Sequence, residues 1–150
     1  MGKCNITIRH AEEKSGAFRL TFNYQTEEKP ASFRFAMANK TEGGEYNFSN
    51  ALYCDLAFDE VSQVMSVIRG DSEVINGGKP LSFDGGKTLF MFKHIIGEKT
   101  SDSGFALGIC RKDGDKVEQS QILLKLHEAN GVLDILSSSM FFLAFVPSVN

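Results

Sequence analysis

Histidine and cysteine, two residue types that often catalyse reactions or bind metals, are few in this 150-residue sequence and lie far apart. They are three histidines and three cysteines: His10, His94, His127, Cys4, Cys54 and Cys110. None of them shows the spacing of a zinc ribbon, a metal site or a Cys-x-x-Cys pair, so only the fold could assemble them into a site. We expect no catalytic residue, no metal site and no cofactor.

One segment has the composition of a phosphate-binding loop but not its pattern. Residues 85–88 read Gly-Gly-Lys-Thr, whereas a P-loop needs a further glycine at position 81, where this chain has leucine. A P-loop also continues into a helix, and residues 89–92 are typical of a strand. The segment is therefore predicted to be a hairpin turn.

A more informative pattern is a set of basic and hydrogen-bonding residues on the polar side of the first three predicted strands. The set contains no Asp or Glu, and its members are Lys3, Asn5, Thr7, Arg9, Arg19, Thr21, Asn23 and Arg34. The electrostatic potential at such a face is positive, although the net charge of the whole chain is −3. It could bind the phosphates of a nucleic acid, with amides and hydroxyls bonding to sugars or bases. The alternative is an ordinary solvated sheet surface that contains few acids.

The second half of the chain offers a weaker counterpart of this set, because three acids among residues 113–118 reduce its positive charge. The predicted outward residues are Lys87, Lys93, Arg111, Gln119, Gln121 and Lys125. Four aromatic residues are candidates for stacking on bases: Tyr46, Phe48, Phe90 and Phe92. Four other phenylalanines lie on the side away from the arginines and are predicted to be core: Phe18, Phe22, Phe33 and Phe35.

Strands must position these residues, because polar and apolar side chains alternate along much of the chain. Eight segments are predicted as strands: residues 3–9, 18–24, 33–37, 46–54, 81–83, 88–94, 104–111 and 116–124. Turns that contain glycine are predicted at 43–44, 77–78, 85–86 and 112–114.

Two helices are predicted from apolar residues at three- and four-residue spacing. The first covers residues 59–69, with Gly70 as a left-handed C-terminal cap. The second begins near His127 and reaches at least Ser139. Residues 140–146 are apolar on all sides, so they form either a buried helix end or one last strand, and Pro147 ends them.

The two predicted helices and the residues before them repeat one pattern. At an offset of 68, residues 56–68 match residues 124–136 at every apolar position. The prediction is a single α+β domain, residues 1–150, with residues 1–70 and 71–146 as candidate ββββα repeats whose antiparallel sheets are backed by two helices.

Length and composition fit an ordinary globular protein, because 150 residues suit one domain and 42% of them are hydrophobic. The negative net charge argues against coating duplex DNA through bulk charge. No segment is long and apolar enough to cross a bilayer, and the start lacks the apolar run of a signal peptide. We expect a cytoplasmic protein with reduced thiols and no membrane association.

Four strands followed by a helix, repeated once, resemble the Whirly-type fold. That fold is shared with the eukaryotic positive transcriptional coactivator that binds single-stranded DNA and with mitochondrial guide-RNA-binding proteins. The resemblance covers nearly the whole chain as architecture and includes the repeated segments LAFDEVSQVMSVI and LKLHEANGVLDIL. It implies single-stranded DNA or RNA binding without catalysis, often by a dimer or tetramer, and it points to the outward sheet residues named above.

These observations support three hypotheses. The first is a non-enzymatic protein that binds single-stranded DNA or RNA through a basic and polar sheet face. The second is a non-catalytic protein-interaction or assembly module, in which the apolar segment 140–146 packs on a partner subunit. The third is a small enzyme whose site the sequence does not reveal.

Overall fold

The computed structural model describes residues 5–10, 15–95 and 103–144. They form two four-stranded antiparallel sheets, each followed by a helix, which confirms the predicted α+β architecture. Within each sheet the strands neighbour one another in chain order. The first sheet comprises β1 (Asn5–Ile8), β2 (Ala17–Asn23), β3 (Ser32–Ala38) and β4 (Leu52–Leu56). The second comprises β5 (Leu81–Phe83), β6 (Lys87–Ile95), β7 (Ser103–Asp113) and β8 (Lys116–Lys125).

Alternation of apolar and polar residues explains how the first sheet packs. Phe18 and Leu20 of β2 pair with Met37 and Phe35 of β3, and all four are almost completely buried. Burial of each such side chain stabilises the fold by about 1.5–3 kcal/mol. The predicted core phenylalanines of this sheet are buried, except that Phe22 is only half-buried.

Each sheet is followed by a helix that begins in the same way. Helix α1 is Phe58–Arg69 and helix α2 is Leu126–Leu143, so their first residues are 68 positions apart. In each first turn a glutamate, Glu60 or Glu128, accepts a hydrogen bond from the backbone N–H of the residue before the helix. Gly70 ends α1 with a φ of 85°, the left-handed cap predicted from the sequence.

The two helices pack on each other and against the sheets. Their buried side chains, such as Val64 and Val132, join those of both sheets in one apolar cluster. The sheets also meet directly, because the backbone N–H of Gly16 donates to the carbonyl oxygen of Gln121 in β8 at 2.8 Å. Since the cluster occupies one face of each sheet, the opposite faces are open for other functions.

The prediction of a strand over residues 46–54 is wrong in position, because β4 begins only at Leu52. Residues Phe48–Asn50 form a turn of 3-10 helix instead, and the side chain of Asn47 accepts a hydrogen bond from the backbone N–H of Ser49 at 3.1 Å. A side chain that bonds to the nearby backbone competes with strand pairing. Within β4, Tyr53 and Asp55 alternate with buried residues and therefore lie on the polar face of the sheet.

The end of the described chain is helical, which decides between the two alternatives for residues 140–143. Helix α2 continues to Leu143, which is buried, whereas Phe141 and Phe142 are 69% and 53% exposed. The segment is therefore not buried on all sides, because only one side of a helix faces the core. Residues 145 and 146 lie outside the described part of the chain. No helix of the described part is long and apolar enough to span a membrane.

The hairpin turns predicted from the sequence are present, but one of them lies at a slightly different position. Residues Asp84–Gly86 join β5 to β6, so the Gly-Gly-Lys-Thr segment is a hairpin turn, as predicted. The turn predicted at 112–114 lies at Gly114 and Asp115, because β7 extends to Asp113. Gly114 has a φ of 61°, which suits a residue without a side chain.

Candidate nucleic-acid interface

The structure brings six of the predicted binding residues together on the open face of the first sheet. The strand register places Asn5 beside Thr21 and Thr7 beside Arg19. Strand alternation puts the six on the side opposite the buried phenylalanines. They are Asn5, Thr7, Arg19, Thr21, Asn23 and Arg34.

Arg19 is held near the middle of this face by two contacts. Its Nε donates to Oγ1 of Thr7 at 3.0 Å, and its Cζ lies 3.8 Å from the centroid of the Phe48 ring. A guanidinium over an aromatic ring is a favourable cation–π arrangement. Within the described ranges no acidic side chain forms an ion pair with Arg19, so its charge is available to a ligand.

Arg34 differs from Arg19 because Asp55 of β4 pairs with it. Its Nε donates to Oδ1 of Asp55 at 2.8 Å and its Nη2 to Oδ2 at 3.1 Å. These hydrogen bonds raise the pKa of Arg34 above its ordinary value, against the opposing effect of partial burial. The predicted acid-free face included residues of the first three strands only, so Asp55 of β4 was missed. The alternation of the apolar residues Leu52, Cys54 and Leu56 could have shown that Asp55 points to the polar face.

Lys87 reaches the same region from the second sheet. Its Nζ lies 4.3 Å from the centroid of the Tyr53 ring, and Cζ of Arg34 lies 4.1 Å from that centroid. Tyr53, which the sequence analysis did not select, is 40% exposed. Together with Arg19 and Phe48, Tyr53 and Arg34 line a cavity of about 340 Å³.

The expectation that Lys87, Lys93, Arg111 and Lys125 share one outward face is wrong. Lys93 and Arg111 lie an even number of residues from the buried Leu89 and Ile109, so they are on the side of the core. Arg111 is also paired with Glu118 at 2.8 Å. Of the six predicted outward residues, Gln119, Gln121 and Lys125 of β8 lie on the open side. On β6 the residues of both sides are apolar, Leu89 and Met91 on one and Phe90 and Phe92 on the other. The sequence alone therefore did not show which side of this strand faces the core.

Two further predicted residues lie beyond the strands. Arg9 follows β1 and lines a second cavity of about 540 Å³ with Tyr46. The Tyr46 hydroxyl donates to the carbonyl oxygens of His10 at 3.1 Å and Ser15 at 3.3 Å, so it fixes the backbone around β1 and β2. Lys3 lies outside the described residues.

The predicted aromatic residues Phe90 and Phe92 lie on the open face of the second sheet. Phe90 is half-buried and Phe92 is 39% exposed. His94 occupies the next position on the same side of β6, with its ring centroid 6.4 Å from that of Phe92. His94 was not predicted as part of this group, although its two-residue spacing from Phe92 places it on the same side of the strand.

The histidines, cysteines and acids of the described residues do not form a metal-binding cluster. Among residues 5–10, 15–95 and 103–144, no three His, Cys, Asp or Glu side chains are close enough to hold a metal ion. Burial raises the pKa of the Cys54 thiol to about 12, so this thiol stays protonated near neutral pH. His10 pairs with Glu128 at 2.9 Å and thereby links the segment after β1 to the start of α2.

No protein-family model and no curated protein matches the chain. Solved structures do match it in fold. The plant transcriptional regulator PBF-2 has a TM-score of 0.66 at 14% identity, over 95% of this chain and 83% of its own. WHY3 from Arabidopsis thaliana has a TM-score of 0.66 at 13% identity, over 93% and 88%.

A structure of a guideRNA-binding protein complex bound to a gRNA also has this fold. Its TM-score is 0.59 at 10% identity, over 92% of this chain and 90% of its own. At these identities the likeness is one of fold. It extends over more than nine-tenths of this chain.

Proposed function

The chain has the Whirly-type fold, and on this basis we propose that it binds single-stranded DNA or RNA without catalysing a reaction. The observation that supports this proposal most directly is the open face of the first sheet. There the strand register sets Arg19 among hydrogen-bonding side chains, with Arg34 and Lys87 nearby. The solved structures add support, because one similar protein is a transcriptional regulator and another complex is bound to a gRNA.

Arg19 and Lys87 would bind phosphates, because each carries a charge that no ion pair neutralises among the described residues. Asn5, Thr21 and Asn23 would bond to sugars, phosphates or base edges through their amide and hydroxyl groups. Phosphate contacts position the strand and make affinity depend on salt. The chain therefore needs only a local basic face to bind, in spite of its net charge of −3.

Replacement of Arg19 tests the proposal. We expect Arg19→Ala to weaken binding to labelled dT and U oligonucleotides and to make the slope of log K against log salt shallower by about 0.7, the value for one lost phosphate contact on a single strand. Fluorescence anisotropy between 50 and 200 mM salt would measure both changes.

The matched control is Arg111→Ala, which removes an arginine from the other side of the second sheet. We expect this variant to bind like the wild type. If the wild-type protein does not bind either oligonucleotide at low salt, the proposed function is wrong. If Arg19→Ala binds like the wild type, the first sheet is not the phosphate-binding face.

We also propose that the protein assembles with a second copy through the end of α2. Phe141 and Phe142 are exposed there, and Phe142 lies 6.4 Å between ring centroids from Phe22 of the first sheet. Tyr24, 67% exposed, extends the same aromatic surface. An exposed group of this kind is typical of an interaction surface, and one similar fold occurs as a protein complex.

A further inference from the structure

Three aromatic side chains form a row along β6. Phe90, Phe92 and His94 alternate with core residues and therefore project from the open face of the second sheet. The rings of Phe90 and Phe92 are almost parallel, at 21°, with centroids 6.4 Å apart. The His94 ring continues the row, with its centroid a further 6.4 Å from that of Phe92. We call these three residues the β6 aromatic row.

The neighbouring strand leaves open space beside this row. Gly108, Ala106 and Gly104 of β7 lie opposite the three rings in the strand register. A Cβ atom at Gly108 would lie 2.1 Å from Cζ of Phe90, so this ring rests directly on the glycine backbone. Beside Phe92 and His94 there is a cavity of about 310 Å³. The small side chain of Ala106 thus leaves a shallow depression next to the rings of Phe92 and His94.

The side of the depression away from β6 is formed by strand β8. Strand β8 contributes its open-face residues Gln121, Leu123 and Lys125, in register with the three small residues of β7. None of the open-face residues at these positions of β6, β7 and β8 is acidic. An aromatic row with an amide and an ammonium group on a nearby strand suits a ligand that combines flat rings with negative charge.

The aromatic rings on the open face of the first sheet are less accessible to a stacking base. Arg19 already covers the Phe48 ring, and Arg34 and Lys87 both lie on the Tyr53 ring. Among the described residues, no cation–π contact involves the β6 aromatic row. The first sheet therefore presents charge, whereas the second presents uncovered rings.

From this difference we infer that the β6 aromatic row is a separate binding site for unpaired nucleobases, which stack on Phe92 and His94 while Lys125 contacts a phosphate. The inference rests on the proposed binding of single-stranded nucleic acid and assigns the base contacts to a face different from that of Arg19. Paired bases cannot present their faces to the row, so this site gives the protein its preference for single strands.

The first experiment separates base contacts from phosphate contacts. Binding is measured to a dT oligonucleotide and to an abasic oligonucleotide with the same number of phosphates. We expect Phe92→Ala to weaken dT binding about tenfold, the usual effect of one lost stacking contact, and to leave abasic binding unchanged. Arg19→Ala should weaken both. Phe58→Ala is the matched control, because Phe58 is another exposed phenylalanine, at the start of α1.

A second experiment uses the absence of tryptophan from the chain. In a Phe92→Trp variant the single indole reports on the row directly, and we expect dT, but not the abasic oligonucleotide, to quench its fluorescence. This measurement also detects a variant that is unable to fold, since its emission would be that of an exposed indole before any ligand is added.

The outcomes distinguish this site from the proposed function. If the wild type binds neither oligonucleotide, the proposed function itself is wrong. If it binds both equally and Phe92→Ala changes nothing, the protein binds nucleic acid but the β6 aromatic row is not a base site. If Phe92→Ala alters sedimentation and leaves dT binding intact, the row is a protein interface and the inference is wrong.

Discussion

At the level of single residues, Asp55 sets how much positive charge the first sheet offers to a ligand. It is in register with Arg34 and binds it through two hydrogen bonds. A phosphate that approaches Arg34 must compete with a carboxylate already in place, and it is repelled by the same carboxylate. Asp55 therefore acts as an internal competitor on a face otherwise suited to anions.

Removal of this competitor should strengthen binding. We expect Asp55→Asn to bind single-stranded oligonucleotides about two- to fivefold more tightly, since an exposed ion pair is worth about 0.2–1 kcal/mol. The salt slope should become steeper by about 0.7, because Arg34 is then free to contact a phosphate. Anisotropy titrations at several salt concentrations would measure both. Glu118→Gln frees Arg111 on the other side of the second sheet and is expected to change neither quantity.

Cys54 makes stability depend on pH in the alkaline range. Burial raises the pKa of its thiol from 9.0 to about 12, so the folded state holds the proton after the unfolded state has lost it. The stabilising contribution is complete below pH 9 and is lost as the pH rises towards 12. Between these values the free energy of unfolding should fall more steeply for the wild type than for Cys54→Ala. Urea denaturation at several pH values checks this, and parallel slopes would contradict it.

At the level of strands and helices, the sequence correctly predicted those elements in which the order of apolar and polar residues fits only one structure. Strand β2 alternates clearly, and Gly70 marks the end of α1 by its left-handed φ. Strand β6 has two apolar sets, Leu89 with Met91 and Phe90 with Phe92, so alternation alone cannot say which one is buried. Packing against the helices decides this, and a single sequence does not contain that information. Lys87 and Lys93 of β6 were misplaced for the same reason.

Two glycines of β7, Gly104 and Gly108, lie so close to other atoms that a side chain at either would collide with them. At Gly104 the close atoms belong to the backbone, and at Gly108 they belong to a side chain. A Cβ atom at Gly104 would lie 2.4 Å from the backbone oxygen of Leu124, which the pairing of β7 with β8 holds in place. At Gly108 the nearest atoms belong to the Phe90 ring, which can turn away. We expect Gly104→Ala to lower the free energy of unfolding by about 1–3 kcal/mol, and Gly108→Ala to lower it less. Urea denaturation of both variants would measure the difference, and equal losses would contradict it.

At the level of the whole molecule, exposed aromatic residues collect where the end of α2 meets the end of β2. Phe141, Phe142 and Tyr24 are each more than half exposed. If a second copy covers them, the change of Phe141 and Phe142 to Ser should shift the protein to a smaller species in sedimentation velocity, because the contact loses its apolar area. Val117→Ser, at an exposed apolar residue of β8, is the control. An unchanged sedimentation coefficient would exclude this surface as the interface.

The contact between the two sheets has a consequence for the solubility of the protein. Strand β8 is a ten-residue edge strand, and an edge of that length is a template on which other chains can add strands and aggregate. The carbonyl oxygen of Gln121 is already bonded to Gly16, and that of Gln119 accepts from Nδ2 of Asn39 at 3.2 Å. These two bonds occupy acceptors in the middle of the edge. The first sheet thus protects the second from edge-to-edge polymerisation while both keep an open face for a ligand.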